Sequence, residues 1–260
     1  MGDAMRVPAL AAAGWLLGAP AASAEDPSCP GHVSVPSAQA TYYVSGSPNA
    51  CSLPVAPGEY FAAAATPEFA GSTACGRCLD VTGPLGSVLV RVVDECPGCG
   101  AGDLDLSPEA FAQIADPVDG IAAISYQSIE CPVSGPIRIY FSMASTPDYA
   151  QVQIRNHLDP VVSVEAHQGG LWVALPRSPD NYFLFDMPPD PVPNPIDLRI
   201  TDLYGAVLVD SGVPFAANTE LAGPGQFAPC PEPGSGAAAM LATAALGFGR
   251  RARRRERAPR

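Results

Sequence analysis

The chain has 260 residues, 47% hydrophobic and 15% charged, with 30 Pro and 25 Gly spread along it. This excludes a disordered polyampholyte and favours short strands and many turns over long helices. A formal net charge of −12 argues against nucleic acid as a partner.

The charge is unevenly distributed. Residues 25–230 hold six Arg, no Lys and 23 acids, a net of −17, whereas residues 231–260 hold seven Arg and two Glu. So acidic a body repels polyanions and suits neutral or cationic partners. Residues 1–24 read as a secretory signal: Arg6 precedes an apolar run over 7–18, and Ala22-Ser23-Ala24 is an A-x-A cleavage site. At the other end, Pro231-Glu232-Pro233-Gly234 precedes an apolar stretch over 237–248 and then Arg250, Arg251, Arg253, Arg254 and Arg255. The order places the cations on the cytoplasmic side of a membrane. The apolar part is short of the roughly 20 residues of a full span. The expectation is a sorting segment at 231–260 that contacts the membrane transiently. The product is then secreted or held at the cell surface.

After a linker over 25–37, the region 38–133 is rich in Cys and Gly. The run 87–94 (SVLVRVVD) predicts a strand with Val88, Val90 and Val92 on one face and Leu89, Arg91 and Val93 on the other. Both faces are nearly apolar, as in a small barrel. A helix is predicted from Ser107 as N-cap, Pro108 at its first position and Glu109 in its first turn, with Phe111, Ile114 and Ala115 as its apolar face. Asp116-Pro117 ends it. From 136 to 216 the composition changes. Short alternating runs at 137–141, 151–155, 161–164, 171–175, 182–185, 198–201 and 207–210, separated by turn residues, predict an antiparallel sandwich. Residues 217–230 read as a second linker.

Cys75-Gly76-Arg77-Cys78 and Cys96-Pro97-Gly98-Cys99 have the spacing of a four-thiolate zinc site. Cys51 and Cys131 flank them, and in an exported protein an oxidising compartment favours disulfides. Six Cys allow 15 pairings, among which spacing does not choose.

The strand 87–94 ends in Asp94, and Asp105 lies in the run Gly102-Asp103-Leu104-Asp105-Leu106-Ser107. If that run is extended, Leu104 and Leu106 point inward while Asp103 and Asp105 share the other face. Paired carboxylates flanking a sugar are the equipment of glycoside hydrolysis. In a chain this acidic, they are also ordinary surface groups.

The run 74–99 (ACGRCLDVTGPLGSVLVRVVDECPGC) together with 102–111 (GDLDLSPEAF) resembles the first domain of expansins. The resemblance implies a six-stranded double-psi β-barrel similar to family-45 endoglucanases. Val152-Gln153-Ile154-Arg155-Asn156-His157, Pro160-Val161, Trp172, Asn181-Tyr182-Phe183, Leu198-Arg199-Ile200-Thr201-Asp202 and Gly205 resemble the second, an immunoglobulin-like β-sandwich that binds polysaccharide. Together they cover roughly residues 38–215.

By this resemblance Thr41 and Asp94 are groove residues, and Asp105 matches the aspartate on which expansin activity depends. Cys96 stands where bacterial expansins often place a groove tyrosine, a contact that Tyr43 can replace. The pairs Cys51–Cys75, Cys78–Cys131 and Cys96–Cys99 are likewise implied, with Cys29 and Cys230 left over. The family binds cellulose on a row of aromatic rings that two adjacent tryptophans begin. Here those positions read Asp148 and Tyr149, and Tyr182 supplies a further ring. Weak or altered polysaccharide binding is therefore expected. Alternation with Leu171 and Val173 suits Trp172 to a core role at least as well as to a surface one. His157 and His167 stand alone and read as non-catalytic.

The function implied is non-hydrolytic loosening of a cell-wall polysaccharide by a monomer without metal or cofactor. The rivals are an endoglucanase or peptidoglycan-cleaving enzyme, and an envelope-binding protein that has kept only the fold.

Overall fold

The computed structural model describes residues 24–26, 29–46, 48–185 and 191–230. Nearly all of the expected signal and the whole of 231–260 lie outside the described residues. Among the described residues no helix is long and apolar enough to cross a membrane.

Seven strands build the first unit: β1 (Ala24–Asp26), β2 (Cys29–Tyr42), β3 (Phe61–Ala65), β4 (Cys78–Gly83), β5 (Gly86–Cys96), β6 (Leu104–Leu106) and β7 (Ala122–Ile129). Their order is β1-β2-β6-β3-β5-β4-β7, and a further β2–β7 pairing closes strands β2 to β7 into a six-stranded barrel. The β2–β6 and β3–β5 pairs are parallel and the others antiparallel, so the barrel is mixed. Val88, Val90, Val92, Leu104 and Leu106 are buried inside with Ala62, Ala64 and Val81. Two short helices, α1 (Thr66–Phe69) and α2 (Pro108–Ile114), accompany the barrel. The Ser107 hydroxyl caps α2 by accepting from the Ala110 N–H, and Ala110, Phe111 and Ile114 are buried. Residues 29–37, expected as linker, belong to β2 and pair with β7 from Ser34 onward.

The described residues of the second unit form eight strands: β8 (Arg138–Phe141), β9 (Ala150–Arg155), β10 (Val161–Gln168), β11 (Leu171–Ala174), β12 (Phe183–Phe185), β13 (Ile196–Asp202), β14 (Val207–Val213) and β15 (Thr219–Ala222). They form two four-stranded sheets, β11-β10-β13-β14 and β12-β9-β8-β15. Both sheets face one core, to which Ile139, Phe141, Val152 and Ile154 come from one side and Val164, Ala166, Leu198 and Ile200 from the other. The assignment of 217–230 to a linker is corrected here. Its residues 219–222 are an edge strand on β8, Phe227 is buried in this core and Cys230 is disulfide-bonded. The signal for β15 was weak because Thr219, Glu220, Leu221 and Ala222 make a four-residue run with a charge in it.

Three disulfides join Cys51 to Cys75, Cys78 to Cys131 and Cys96 to Cys99, the pairs that the resemblance implies. Both CxxC motifs are therefore occupied by sulfur–sulfur bonds rather than by zinc. The two units also touch through polar contacts. Gln153 and Asn181 donate to the Cys51 carbonyl, Ser72 donates to the Ser178 carbonyl, and His32 meets the buried Asp159 at 3.3 Å. His157 of the second unit is buried against Gly76, where an added Cβ would lie 2.4 Å from its ring.

Candidate functional site

Strand register assembles the polar residues of the barrel. Thr41 on β2 pairs with Asp105 on β6, Asp105 pairs with Ala63 on β3, and Ala63 pairs with Asp94 on β5. Four adjacent strands thus carry Thr41, Asp105, Ala63 and Asp94 in one row. Alternation fixes the face: Leu104 and Leu106 point into the barrel, so Asp103 and Asp105 point out. Asp103 is used within the wall, accepting from the Gln39 N–H at 2.7 Å.

Asp94 needs one further device. Strict alternation from Val88, Val90 and Val92 would turn it inward. Instead β5 carries an irregularity: Ala62 opposes Val92, but Ala63 opposes Asp94, so Val93 is an extra residue. This bulge shifts the phase of the strand and brings Asp94 beside the outward Ala63, a recurrent use of bulges next to functional sites. Ala63 between the two aspartates has no side chain beyond Cβ, which leaves a step in the floor.

The two aspartates are in different states. Asp94 is held on both oxygens: Oδ1 accepts from the Ala50 and Glu95 N–H groups at 2.8 and 3.0 Å, and Oδ2 accepts from the Tyr43 hydroxyl at 3.2 Å. Burial, and then the neighbouring Asp94 carboxylate, push the Tyr43 phenol well above its ordinary range, so it remains a donor. Among the described residues Asp105 has a single side-chain donor, the Thr41 hydroxyl at 2.7 Å. Burial raises its pKa above the usual carboxylate value, against a smaller lowering by that hydrogen bond. A half-buried carboxyl with a raised pKa and a free oxygen can donate a proton or a hydrogen bond to a ligand. The Cys96–Cys99 bridge closes the loop after Asp94, in place of a ring at that position.

The Asn49–Leu53 turn carries the site toward the second unit. Ala50 binds Asp94, and Cys51 receives the two interdomain donors. On β9, Ala150, Val152 and Ile154 enter the core, so Gln151, Gln153 and Arg155 take the other face, where Gln153 is buried beneath Cys51 of the barrel and Gln151 donates to the Tyr149 hydroxyl at 3.0 Å. Tyr149 and Tyr182 therefore flank one outer face, that of the sheet β12-β9-β8-β15. Asp148 is exposed beside the half-buried Tyr149. Tyr140 on β8 shares this face and went unnoticed in the sequence, although alternation in 137–141 turns it outward. The Arg155 guanidinium covers its ring at 3.7 Å. Phe61, edge-on to Tyr43 with centroids 5.7 Å apart, was also missed.

Trp172 is not in the core. It lies on the outer face of the other sheet, beside His167 and 4.9 Å from the Arg199 guanidinium. Strand β11 is an edge strand with no fully buried residue, so its alternation carried no reliable inside.

A family model described as lytic transglycolase matches residues 39–126. Expansin-like protein 2 of Dictyostelium discoideum is 33% identical over 64% of this chain and 42% of its own length. Expansin-YoaJ of Bacillus subtilis (strain 168) is 32% identical over 52% of this chain and 57% of its own. The chain thus spans about half the length of these curated relatives. A crystal structure of an apo expansin from Clavibacter michiganensis shares 34% identity and a TM-score of 0.68, covering 75% of this chain and 98% of that one. A mutant of that expansin, solved in complex with cellohexaose, gives 33% and 0.69 over the same shares.

Proposed function

The chain belongs to the expansins, and from that premise we propose that it binds a neutral cell-wall β-glucan along the row Thr41–Asp105–Asp94 and loosens it without cleaving it. The observation that carries this reading is the register of four adjacent strands, which sets a hydroxyl and two carboxyls in line on one outer face. The cellohexaose bound by the Clavibacter expansin supports a glucan as ligand. Thr41 and Asp105 would exchange hydrogen bonds with sugar hydroxyls, replacing those between glucan chains. Tyr182 and Tyr149 extend the contact onto the second unit, each ring contributing about 1 kcal/mol by stacking.

Hydrolysis fits less well. It needs an acid and a second carboxylate free to activate water or attack carbon. Asp105 suits the acid, but both oxygens of Asp94 already accept hydrogen bonds, and a water there would have to displace Tyr43. We further assign 1–24 as a cleaved signal, 231–260 as a transient membrane contact and the mature product, a monomer, to the cell surface or medium.

The test compares the purified protein with Asp105→Asn on amorphous cellulose and on peptidoglycan, reading pull-down, soluble sugar and the strength of cellulose paper. Binding without release, with paper weakening lost in Asp105→Asn, is the expected result. The lytic transglycolase match favours one alternative, murein cleavage. Asp105-dependent release of sugar or muropeptide would establish an enzyme and overturn the loosening reading. Binding to neither polymer would leave a protein that kept only the fold.

A further inference from the structure

A cavity of about 600 Å³ opens between the barrel and the second unit, away from the row of aspartates. Its size is ordinary for a small-molecule site. Arg91 enters it from β5, Arg138 from β8 and Arg155 from β9, while Tyr60 and Pro54 supply apolar wall. The body between 25 and 230 has only six arginines in a net of −17, and half of them meet here.

The pairing of these arginines is incomplete. Arg91 binds Glu59 at 2.5 Å, and Arg155 binds Glu220 at 3.0 Å and Gln153 at 2.6 Å. Arg138 is exposed and has no ion pair among the described residues. It stands directly opposite Arg155 in the β8–β9 register. Like charges facing each other across a strand pair destabilise a sheet. A carboxylate lying between the two guanidinium groups would reverse that repulsion and receive the planar donors that suit it. The buried His157, which also lines the cavity, feels the same field: burial first, then Arg91 and Arg177, hold it neutral.

We propose that this interdomain cavity binds a single uronate residue carried on an otherwise neutral glycan, with its carboxylate between Arg138 and Arg155 and its ring toward Tyr60. The net of −17 over residues 25–230 repels a continuous polyanion and tolerates one isolated acid. The inference is independent of the glucan row, because it uses none of Thr41, Asp94 or Asp105.

Calorimetric titration of the whole protein with glucuronosyl-xylotriose tests it, alongside the carboxyl-reduced form of the same tetrasaccharide, citrate and cellohexaose. The acidic sugar is expected to bind at least tenfold more tightly than its reduced form and to weaken between 0.05 and 0.5 M salt. Arg138→Gln should weaken it at least fivefold and Arg138→Lys should partly restore it. Arg138 is exposed, so both variants fold, and an unchanged pull-down on cellulose separates this site from the glucan row. No binding, equal binding of the reduced sugar, indifference to Arg138→Gln or competition by cellohexaose would each overturn the proposal. Citrate binding as tightly as the sugar would also overturn it, by making the cavity a general anion site.

Discussion

The barrel and the second unit present polar faces of opposite construction. In the barrel, backbone register and one bulge set the row: Thr41, Asp105 and Asp94 sit on three different strands, and each carboxyl has side-chain or backbone donors that hold it. On the sheet β12-β9-β8-β15, side-chain choice decides the face. An aspartate and a tyrosine stand where the family places two tryptophans, and Arg155 lies over Tyr140. A register-built site survives sequence drift as long as the strands pair, whereas a row of rings is lost one substitution at a time. On the proposed glucan reading, specific grip therefore resides in the barrel, and the second unit contributes position and area.

The strongest way to break this comparison is to cut the longest disulfide tie of the barrel unit. Cys78–Cys131 closes a loop of 53 residues from the start of β4 to the segment before β8. Chain-entropy reasoning gives roughly 4 kcal/mol for a loop of that size. The double variant Cys78→Ser/Cys131→Ser should show that loss in chemical denaturation. The same change at Cys96 and Cys99, separated by three residues, should cost less than half as much. Equal losses would mean that the first bridge does not act by closing the longer loop.

A pH scan probes the interface between the halves more gently. The pKa of His157 is lowered to about 4, from 6.5, by burial first and then by Arg91 and Arg177. A group whose folded pKa is depressed binds its proton more readily when unfolded, so stability falls as pH drops from 6.5 toward 4. The full loss is on the order of 3 kcal/mol. His157→Gln should flatten the slope of unfolding free energy in that window. A slope unchanged by the substitution would assign it to other groups.

The row of rings can be rebuilt rather than broken. Tyr149→Trp, alone and with Asp148→Trp, places indoles where the family has them on an exposed edge of the sheet. Each should add about 1 kcal/mol of stacking, a fivefold gain in cellulose binding. Binding depletion measures this directly. No gain from the double variant would show that the second unit contributes nothing to the glucan surface.

The sequence allowed much of this to be read, and for identifiable reasons. The α2 cap at Ser107 and the strand around 87–94 were legible because their signals are local. The outward pairing of Asp103 and Asp105 was legible because it needs only period-two alternation. The phase shift at Val93 was not, because a bulge is visible only against the partner strand. The face of Trp172 was left open and β15 was missed for a common cause. Both lie on short edge strands, where one face has no obligation to be buried. The cavity between the units was hidden because its three arginines come from three separate strands, at positions 91, 138 and 155.

The smallest effect expected is also the most discriminating for Asp105. Its folded pKa is raised by burial above the unfolded value of 3.8. A raised carboxyl holds its proton longer in the folded chain, so stability falls as pH rises through that window and stays lower at neutral pH. Asp105→Asn removes the buried charge while its amide oxygen can still accept from Thr41. The variant should therefore lose paper-weakening activity yet gain roughly 0.5 kcal/mol at pH 7, with no gain below pH 4. A residue kept only for structure would show the opposite, a loss of stability on substitution. A gain in stability joined to a loss of activity marks a group that the fold tolerates for the sake of its ligand.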